Sequence, residues 1–134
     1  MIVVDASLVA SWFFNDERDE TALRAAERVF GEITLVPPIF PAELANALLS
    51  AWKKGRIPKR ELDGAFERIV QLPFQVAPAG LELKDEVELA ARYGLTVYDA
   101  MYLALAARHR AGLITRDARL RAAAFDAGLL EQET

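Results

Sequence analysis

The chain has 134 residues, of which 53% are hydrophobic, and carries a formal net charge of −4 at pH 7. This length suits one domain spanning residues 1–134, large enough to bury a core without covalent staples. The lack of cysteine excludes disulfides, thiolate catalysis and cysteine-based metal sites, and it fits a cytoplasmic protein. The acidic balance excludes a generic basic nucleic-acid binder, so a nucleic-acid role requires local patches or a metal. We expect no signal peptide and no membrane helix, which would need ~18 apolar residues.

The first 55 residues alternate short apolar runs with segments of helical spacing. They predict a strand, two helices, a second strand and a third helix, over residues 2–4, 7–14, 22–30, 33–36 and 42–54. Ser7 is the predicted N-cap of the first helix, and Pro41 fits just inside the start of the third. Gly31 and Gly55 are predicted to end the second and third helices.

The remaining residues continue this alternation. They predict a helix, a strand, two helices, a strand, a helix and a weak edge strand, over residues 58–71, 74–77, 79–93, 96–110, 113–115, 117–127 and 129–131. Gly94 and Gly112 are predicted to close the two middle helices. Strands that alternate with one or two helices indicate a parallel sheet with helices on both faces and right-handed crossovers.

Four acidic residues lie where a predicted strand ends or a predicted helix begins: Asp5, Glu43, Asp99 and Asp117. Sites in parallel sheets form beyond the carboxyl ends of the strands, so these acids meet if strands one, two and four are neighbours. Two unpartnered carboxylates ~4 Å apart repel by about 4 kcal/mol at an effective dielectric of ~20. A divalent cation best explains their convergence, and oxygen ligands favour Mg²⁺ or Mn²⁺.

Each acid also has a purely structural interpretation. Asp5 can end its strand and cap the next segment, and Asp117 can cap the last helix. Asp99 stands three residues after Thr96, in a relative of the capping box. Taken alone, the local pattern favours capping for Asp99 and Asp117.

Glu43 is harder to assign to a cap. Its helix carries apolar residues around most of its circumference, which predicts a largely buried helix. Glu43, Asn46 and Ser50 recur at i, i+3 and i+7 and therefore share one narrow polar stripe. A buried polar stripe needs partners. The stripe either faces water or points at a polar site.

Further polar residues stand close to the acids in sequence. Ser7, two residues after Asp5, either caps a helix or holds a metal-bound water, and Thr115 precedes Asp117 by two. Positive charge near the predicted site comes from three arginines, Arg116, Arg119 and Arg121. This mixture of charges suits a polyanionic substrate.

The single histidine, His109, lies at a predicted helix C-terminus, where a surface cation suits the helix dipole. Histidine is the usual general base, and no Ser–His or Cys–His pair is credible here, so hydrolysis would need a metal-activated water. The basic segment 53–60 spans a helix–helix turn. It is either a solvated loop or a grip for phosphates.

In four segments the chain resembles the PIN-domain ribonucleases, and among them the VapC-type toxins of toxin–antitoxin pairs. The segments are residues 2–7 (IVVDAS), 41–46 (PAELAN), 95–100 (LTVYDA) and 113–117 (LITRD). Their order and spacing make the resemblance specific. It implies a three-layer α/β/α sandwich with a central, mainly parallel sheet. It also implies cleavage of RNA that depends on Mg²⁺ or Mn²⁺, a homodimer, and an antitoxin whose tail occupies the active-site groove.

The resemblance also implies roles for particular residues. The metal-binding catalytic acids would be Asp5, Glu43, Asp99 and Asp117, and the supporting polar residues would be Ser7, Asn46 and Thr115, with Arg116 beside them. One or two ions would be held by the three aspartates, with Glu43 binding directly or through water. The ion would polarise the scissile phosphate and lower the pKa of a bound water that attacks in line.

Two other classes of protein compete with this interpretation. A haloacid-dehalogenase-like phosphatase would need a second aspartate where Ser7 stands, and a receiver domain would need an acidic pair and a late lysine that the sequence lacks. A non-catalytic domain that acts only by binding a partner is the other alternative, and the intact set of acids argues against it. A metal titration separates these classes, since a binding-only protein should show no stabilisation by divalent cations.

Overall fold

A computed structural model describes residues 1–77 and 82–130 of the chain. Within these ranges, four short strands form one sheet in the order β3-β2-β1-β4: β1 (Ile2–Val4), β2 (Thr34–Val36), β3 (Phe74–Val76) and β4 (Gly112–Ile114). All pairings are parallel, and Val3 lies opposite both Leu35 and Leu113. β1 therefore lies between β2 and β4, as the convergence of the acids requires.

Helices flank this sheet along the described ranges. Their bounds are α1 (Ala6–Ser11), α2 (Glu20–Gly31), α3 (Phe40–Lys53), α4 (Lys59–Ile69), α5 (Leu83–Tyr93), α6 (Val97–His109) and α7 (Ala118–Asp126), with a 3₁₀ turn at Asn15–Glu17. The predicted α/β sandwich with a central parallel sheet is confirmed. Among the helices described, none has both the length and the apolar character needed to cross a membrane.

The first helix begins differently from the prediction. Asp5, in an extended conformation, accepts a hydrogen bond from the Leu8 backbone N–H and is the N-cap of α1. The prediction of Ser7 as the cap was wrong. Aspartate and serine can both cap a helix. Here Ala6 and Leu8 are buried in the helix, so it begins directly after β1. The helix also ends earlier, at Ser11.

Other boundaries lie within a few residues of the predictions. α6 ends at His109, its C-cap Arg110 has a left-handed φ of 51°, and Gly112 begins β4 rather than closing the helix. Residues 79–81 of the predicted fifth helix lie outside the described residues. The weak edge strand is reduced to one parallel bridge between Leu130 and Leu113, and Glu131 is also outside the described ranges.

The core is built on the two central strands and the helices against them. The three residues of β1 are each at most 1% exposed, while β3 lies at the sheet edge and is partly exposed. α3 buries one face through Phe40, Leu44, Leu48 and Ala51. Its opposite face is open, because Leu49 and Trp52 are each 37% exposed. The prediction of a largely buried α3 was therefore wrong.

Candidate active site

Asp5 is the centre of a hydrogen-bond network where β1 meets α1. Its carboxylate is 5% exposed. Besides the Leu8 N–H at 3.1 Å, it accepts bonds from Ser7 Oγ, 2.9 Å from both oxygens, and from Thr115 Oγ1, 2.6 Å from Oδ2. Thr115 directly follows β4, the parallel neighbour of β1. This contact joins the carboxyl ends of two strands across 110 positions of sequence.

Thr115 connects Asp5 to Asp117. Its hydroxyl donates to Asp5 and accepts the backbone N–H of Asp117 at 3.0 Å, and the side chain is fully buried. Asp117 in turn caps α7 by accepting the Leu120 N–H at 2.9 Å. The predicted cap is thus observed. Asp117 lies close enough to Asp5 for its charge to help raise the pKa of Asp5.

Asp99 and Glu43 lie in the first turns of α6 and α3. The Asp99 N–H donates to Thr96 Oγ1 at 3.1 Å, so Thr96 is the N-cap of α6, as predicted. Glu43 is half-buried, and its Oε1 accepts a hydrogen bond of 2.6 Å from the hydroxyl of Tyr102. Glu43, one residue of the predicted polar stripe, therefore has a hydrogen-bond partner inside the protein.

Tyr102 is the residue of this cluster that the sequence analysis did not identify. It is 1% exposed and lies three residues after Asp99 on α6. Burial and the hydrogen bond to Glu43 raise the pKa of its hydroxyl well above the usual range, so it remains a donor. The i, i+3 spacing from Asp99 was the available signal, since this spacing places two side chains on one helix face.

Three of the four predicted acids have raised pKa values. Burial raises the pKa of Asp5 to about 6, and the charge of Asp117 adds to this increase despite three hydrogen-bond donors. Burial and Asp117 raise the pKa of Asp99, and burial and Asp99 raise that of Glu43. The four predicted acids therefore interact in successive pairs, Asp5 with Asp117, Asp117 with Asp99 and Asp99 with Glu43, and within the described ranges no three of them form a tight group.

The other residues singled out in the sequence differ in their exposure and in their bonding partners. Ser7 is exposed but bonds to Asp5, whereas Asn46 is exposed and has no hydrogen bond among the described residues. Arg116 is paired with Asp19, with two N–O distances of 3.3 Å. His109 is exposed at the end of α6, as expected of a surface cation.

The basic segment 53–60 is partly engaged with acidic side chains of the protein. Arg56 pairs with Asp16 at 2.9 Å and with Glu17 at 3.1 Å, and its guanidinium lies 4.1 Å from the centre of the Phe14 ring. Lys59 pairs with Asp63 at 2.8 Å. These contacts favour the structural interpretation of the segment for the two residues involved.

The donor chemistry of the cluster fits a hard divalent cation. In the ranges 1–77 and 82–130, no three carboxylate or histidine side chains are close enough together to form a complete metal centre. The ion pairs of those ranges, however, include none of the four acids, and three of the acids have raised pKa values. Partly buried carboxylates without a protein cation are the oxygen ligands that Mg²⁺ and Mn²⁺ prefer.

The sheet, its helices and this cluster define a class of protein. It is an α/β sandwich with carboxylates beyond the carboxyl ends of its parallel strands, the usual position of sites in such sheets. Residues 2–126 match the model of the PIN domain family. The chain belongs to the PIN domain family, and within it to the VapC-type proteins.

Individual relatives agree with this assignment. Ribonuclease VapC3 of Pyrobaculum aerophilum is 34% identical over 121 residues, which cover 89% of this chain and 91% of the relative. Ribonuclease VapC9 of Mycobacterium tuberculosis is 28% identical over 137 aligned positions, covering 90% and 88%. The crystal structure of PAE2754 from P. aerophilum has a similar fold, with a TM-score of 0.62, 23% identity, and coverage of 91% of this chain and 84% of that one.

Proposed function

We propose that this protein is a metal-dependent endoribonuclease and the toxin of a toxin–antitoxin pair. The observation that carries the proposal is the buried Asp5 at the carboxyl end of β1, which Thr115 connects by hydrogen bonds to the segment that carries Asp117. Relatives that align over about nine-tenths of the chain bear the name ribonuclease. An acidic cluster without a protein cation would be costly to maintain if it served only the fold.

The catalytic residues in this proposal are the four acids. Asp5, Asp99 and Asp117 would hold Mg²⁺ or Mn²⁺, and Glu43 would bind the ion directly or through water. When bound, the ion supplies Lewis acidity at the scissile phosphate and a water of lowered pKa. Ser7 and Thr115 orient the carboxylate of Asp5 through their hydroxyl groups, and α7 fixes Asp117 through the cap.

The substrate end of the proposed site would include two arginines. A shallow open cavity beside Thr115 is lined by Asp19, Thr21, Arg116 and Arg121. Arg116 would leave its ion pair with Asp19 and bind an RNA phosphate instead. This exchange costs little, because Asp19 is exposed and an exposed ion pair is weak in water. Asn46, exposed one turn beyond Glu43 on α3, is the remaining supporting residue of the proposed site.

The partners in the proposal follow from the family. We infer that a cognate antitoxin inhibits the enzyme, that the chain acts as a single domain over residues 1–134, and that it forms a homodimer in the cytoplasm. Size measurement of the purified chain by light scattering tests the dimer directly, since a monomeric mass would remove that part of the proposal.

Cleavage of RNA by the Asp5→Asn variant tests the proposed activity. The purified protein is incubated with total cellular RNA in Mg²⁺ or Mn²⁺, or with EDTA, and the new ends are mapped. We expect the wild type to cleave only with metal and Asp5→Asn to lose at least ~100-fold in rate, because a ligand of the ion is removed. Asp126→Asn, an exposed acid at the end of α7, is the matched control.

The outcomes separate the proposal from its alternatives. Cleavage by Asp5→Asn at the parental rate would contradict the mechanism. Lack of cleavage by the wild type in every metal condition would favour a domain that acts only through a partner. Metal-dependent hydrolysis of a simple phosphate monoester, without cleavage of RNA, would instead indicate a phosphatase-like activity.

A further inference from the structure

The hydrogen bond between Tyr102 and Glu43 is a contact that the proposed mechanism does not use. It is 2.6 Å long and connects α6 to α3 across 59 positions of sequence. Tyr102 is 1% exposed, so its hydroxyl is inside the protein, whereas Glu43 is half-buried at the edge of the site. A buried phenol normally finds a partner, but here the partner is one of the acids of the cluster.

The hydrogen bond from Tyr102 restricts Glu43, whose side chain is the longest among the four acids. Asp5 and Asp117 are each fixed by a short side chain and a helix cap. Glu43 has one more rotatable bond than an aspartate, and the N-cap of its own helix, Ile39, makes no side-chain capping bond. Within the described residues, the Tyr102 hydroxyl is the hydrogen-bond donor to its carboxylate, and it leaves Oε2 available for another partner.

The position of Tyr102 on α6 links Glu43 to Asp99. Asp99 and Tyr102 stand three residues apart, on one face of the helix and one turn from each other. Because the Tyr102 hydroxyl bonds to Glu43, the Glu43 carboxylate lies on the side of α6 that also carries Asp99. One rigid helix therefore carries both an acid of the cluster and the hydroxyl that holds the opposite acid in place.

We propose that Tyr102 is a positioning residue whose hydroxyl holds the Glu43 carboxylate beside Asp99, so that the fourth acid is in place before metal and RNA bind. This inference rests on the proposed nuclease function. Tyr102 does not contact the reacting atoms, and it acts through Glu43. Partners that orient the ligands of a metal typically change metal affinity or activity 10- to 100-fold when they are removed.

The Tyr102→Phe variant tests this role because it removes the hydroxyl and retains the ring. We expect kcat to fall about 10-fold, the Mn²⁺ concentration that gives half of the metal-dependent rise in Tm to increase by a similar factor, and KM for RNA to change less than about 2-fold. Tyr93→Phe, on α5, is the matched control and should leave all three values unchanged. Rates are normalised to the folded fraction measured by circular dichroism, so that a loss of stability is not counted as a loss of activity.

A double variant shows whether Tyr102 acts through Glu43. We expect Tyr102→Phe to have almost no additional effect on kcat in a Glu43→Gln background, since the acid that it positions is already disabled. Equal losses in both backgrounds would overturn the inference, as would a normalised Tyr102→Phe that matches the wild type. In either case the nuclease proposal would stand. A wild type that never cleaves RNA would overturn both.

Discussion

Asp5 meets two demands that act on its pKa in opposite directions. As the cap of α1 and the acceptor of two hydroxyl groups, it has donors that favour the charged carboxylate. Burial and the nearby charge of Asp117 favour the protonated form, and they prevail, because the pKa rises to about 6. A divalent cation would reverse the balance, since it would provide the positive charge that the protein does not.

We therefore expect the stability of the metal-free protein to depend on Asp5 and pH. The folded pKa of about 6 is above the ordinary value of 3.8, so this contribution to stability is complete below pH 3.8 and is lost as the pH rises through 6. Between pH 5 and pH 7 the loss amounts to about 1 kcal/mol. Urea denaturation in EDTA at pH 5, 6 and 7 measures it.

The contribution of Asp5 is isolated by comparing variants. Asp5→Asn should show a correspondingly flatter dependence on pH, whereas Asp126→Asn should retain the slope of the wild type. The raised pKa values of Glu43 and Asp99 add to the slope in the same direction and remain in both variants. An unchanged slope in Asp5→Asn would show that its carboxyl is already ionised at pH 5.

A buried acid does not by itself mark a functional site, as Glu86 on α5 shows. Burial raises its pKa, and neither of its oxygens has a hydrogen bond in the described part of the chain. Its nearest cation is Arg108 on α6, at 3.8 Å. Glu86 thus has a positively charged neighbour, whereas the four acids of the site have one another.

The sequence predicted the acids of the site better than it predicted their partners. Acids at strand ends and helix starts are visible in the sequence, and the four chosen for the site interact in successive pairs in the structure. Tyr102 was missed because a tyrosine on an apolar helix resembles an ordinary core residue. The pairing of Arg116 with Asp19 was equally hidden, because it depends on side chains 97 positions apart.

At the scale of single elements, strands and helices were predicted well and their exposed faces less well. The strands are short runs of apolar and β-branched residues between clear breaks, a strong local signal. The burial of α3 was overestimated, because the sequence shows an apolar surface but not which neighbour covers it. The open face with Leu49 and Trp52 can be recognised only once the sheet order is known.

Two helix ends allow a matched test of backbone conformation. The C-cap of α5 is Gly94, with a φ of 67°, and the C-cap of α6 is Arg110, with a φ of 51°. The left-handed region is costly for residues with a Cβ atom and nearly free for glycine. We expect Arg110→Gly to stabilise the protein by about 1 kcal/mol and raise Tm by a few degrees.

Gly94→Ala is the reciprocal change and should lower Tm by a similar amount. A Cβ atom at this position would meet no other heavy atom within 4 Å, so its cost comes from the backbone alone. Differential scanning calorimetry of both variants measures the effects. A lower Tm for Arg110→Gly would show that the arginine side chain makes a compensating interaction.

At the scale of the whole molecule, sheet order determines the site. β1 lies between β2 and β4, so elements that follow three strands can contribute to one cluster. Asp5 follows β1, Glu43 lies in the helix after β2, and Thr115 and Asp117 follow β4. The sequence predicts this site only on the condition that β1 is a central strand, because strand order depends on long-range pairing. Once β1 is central, crossovers between parallel strands place their carboxyl ends at one edge.

The same arrangement predicts how divalent cations affect the stability of the whole protein. A cation that binds the folded state at 100 times its Kd stabilises it by about 2.7 kcal/mol, which for a protein of this size raises Tm by about 10 °C. We expect Mn²⁺ or Mg²⁺ to raise the Tm of the wild type in this way. NaCl of equal ionic strength is the control for general screening of the net charge of −4.

The Asp5→Asn variant should be at least as stable as the wild type without metal and less stable than the wild type with metal. In EDTA at pH 7 it should melt at or above the Tm of the wild type, because it removes a buried carboxylate whose charged form is disfavoured. With Mn²⁺ it should melt below the wild type, because a ligand of the ion is missing. Equal shifts of Tm in both proteins would place the cation elsewhere on the acidic surface. The crossing of the two melting temperatures therefore distinguishes a cation held by the cluster from one that only screens charge.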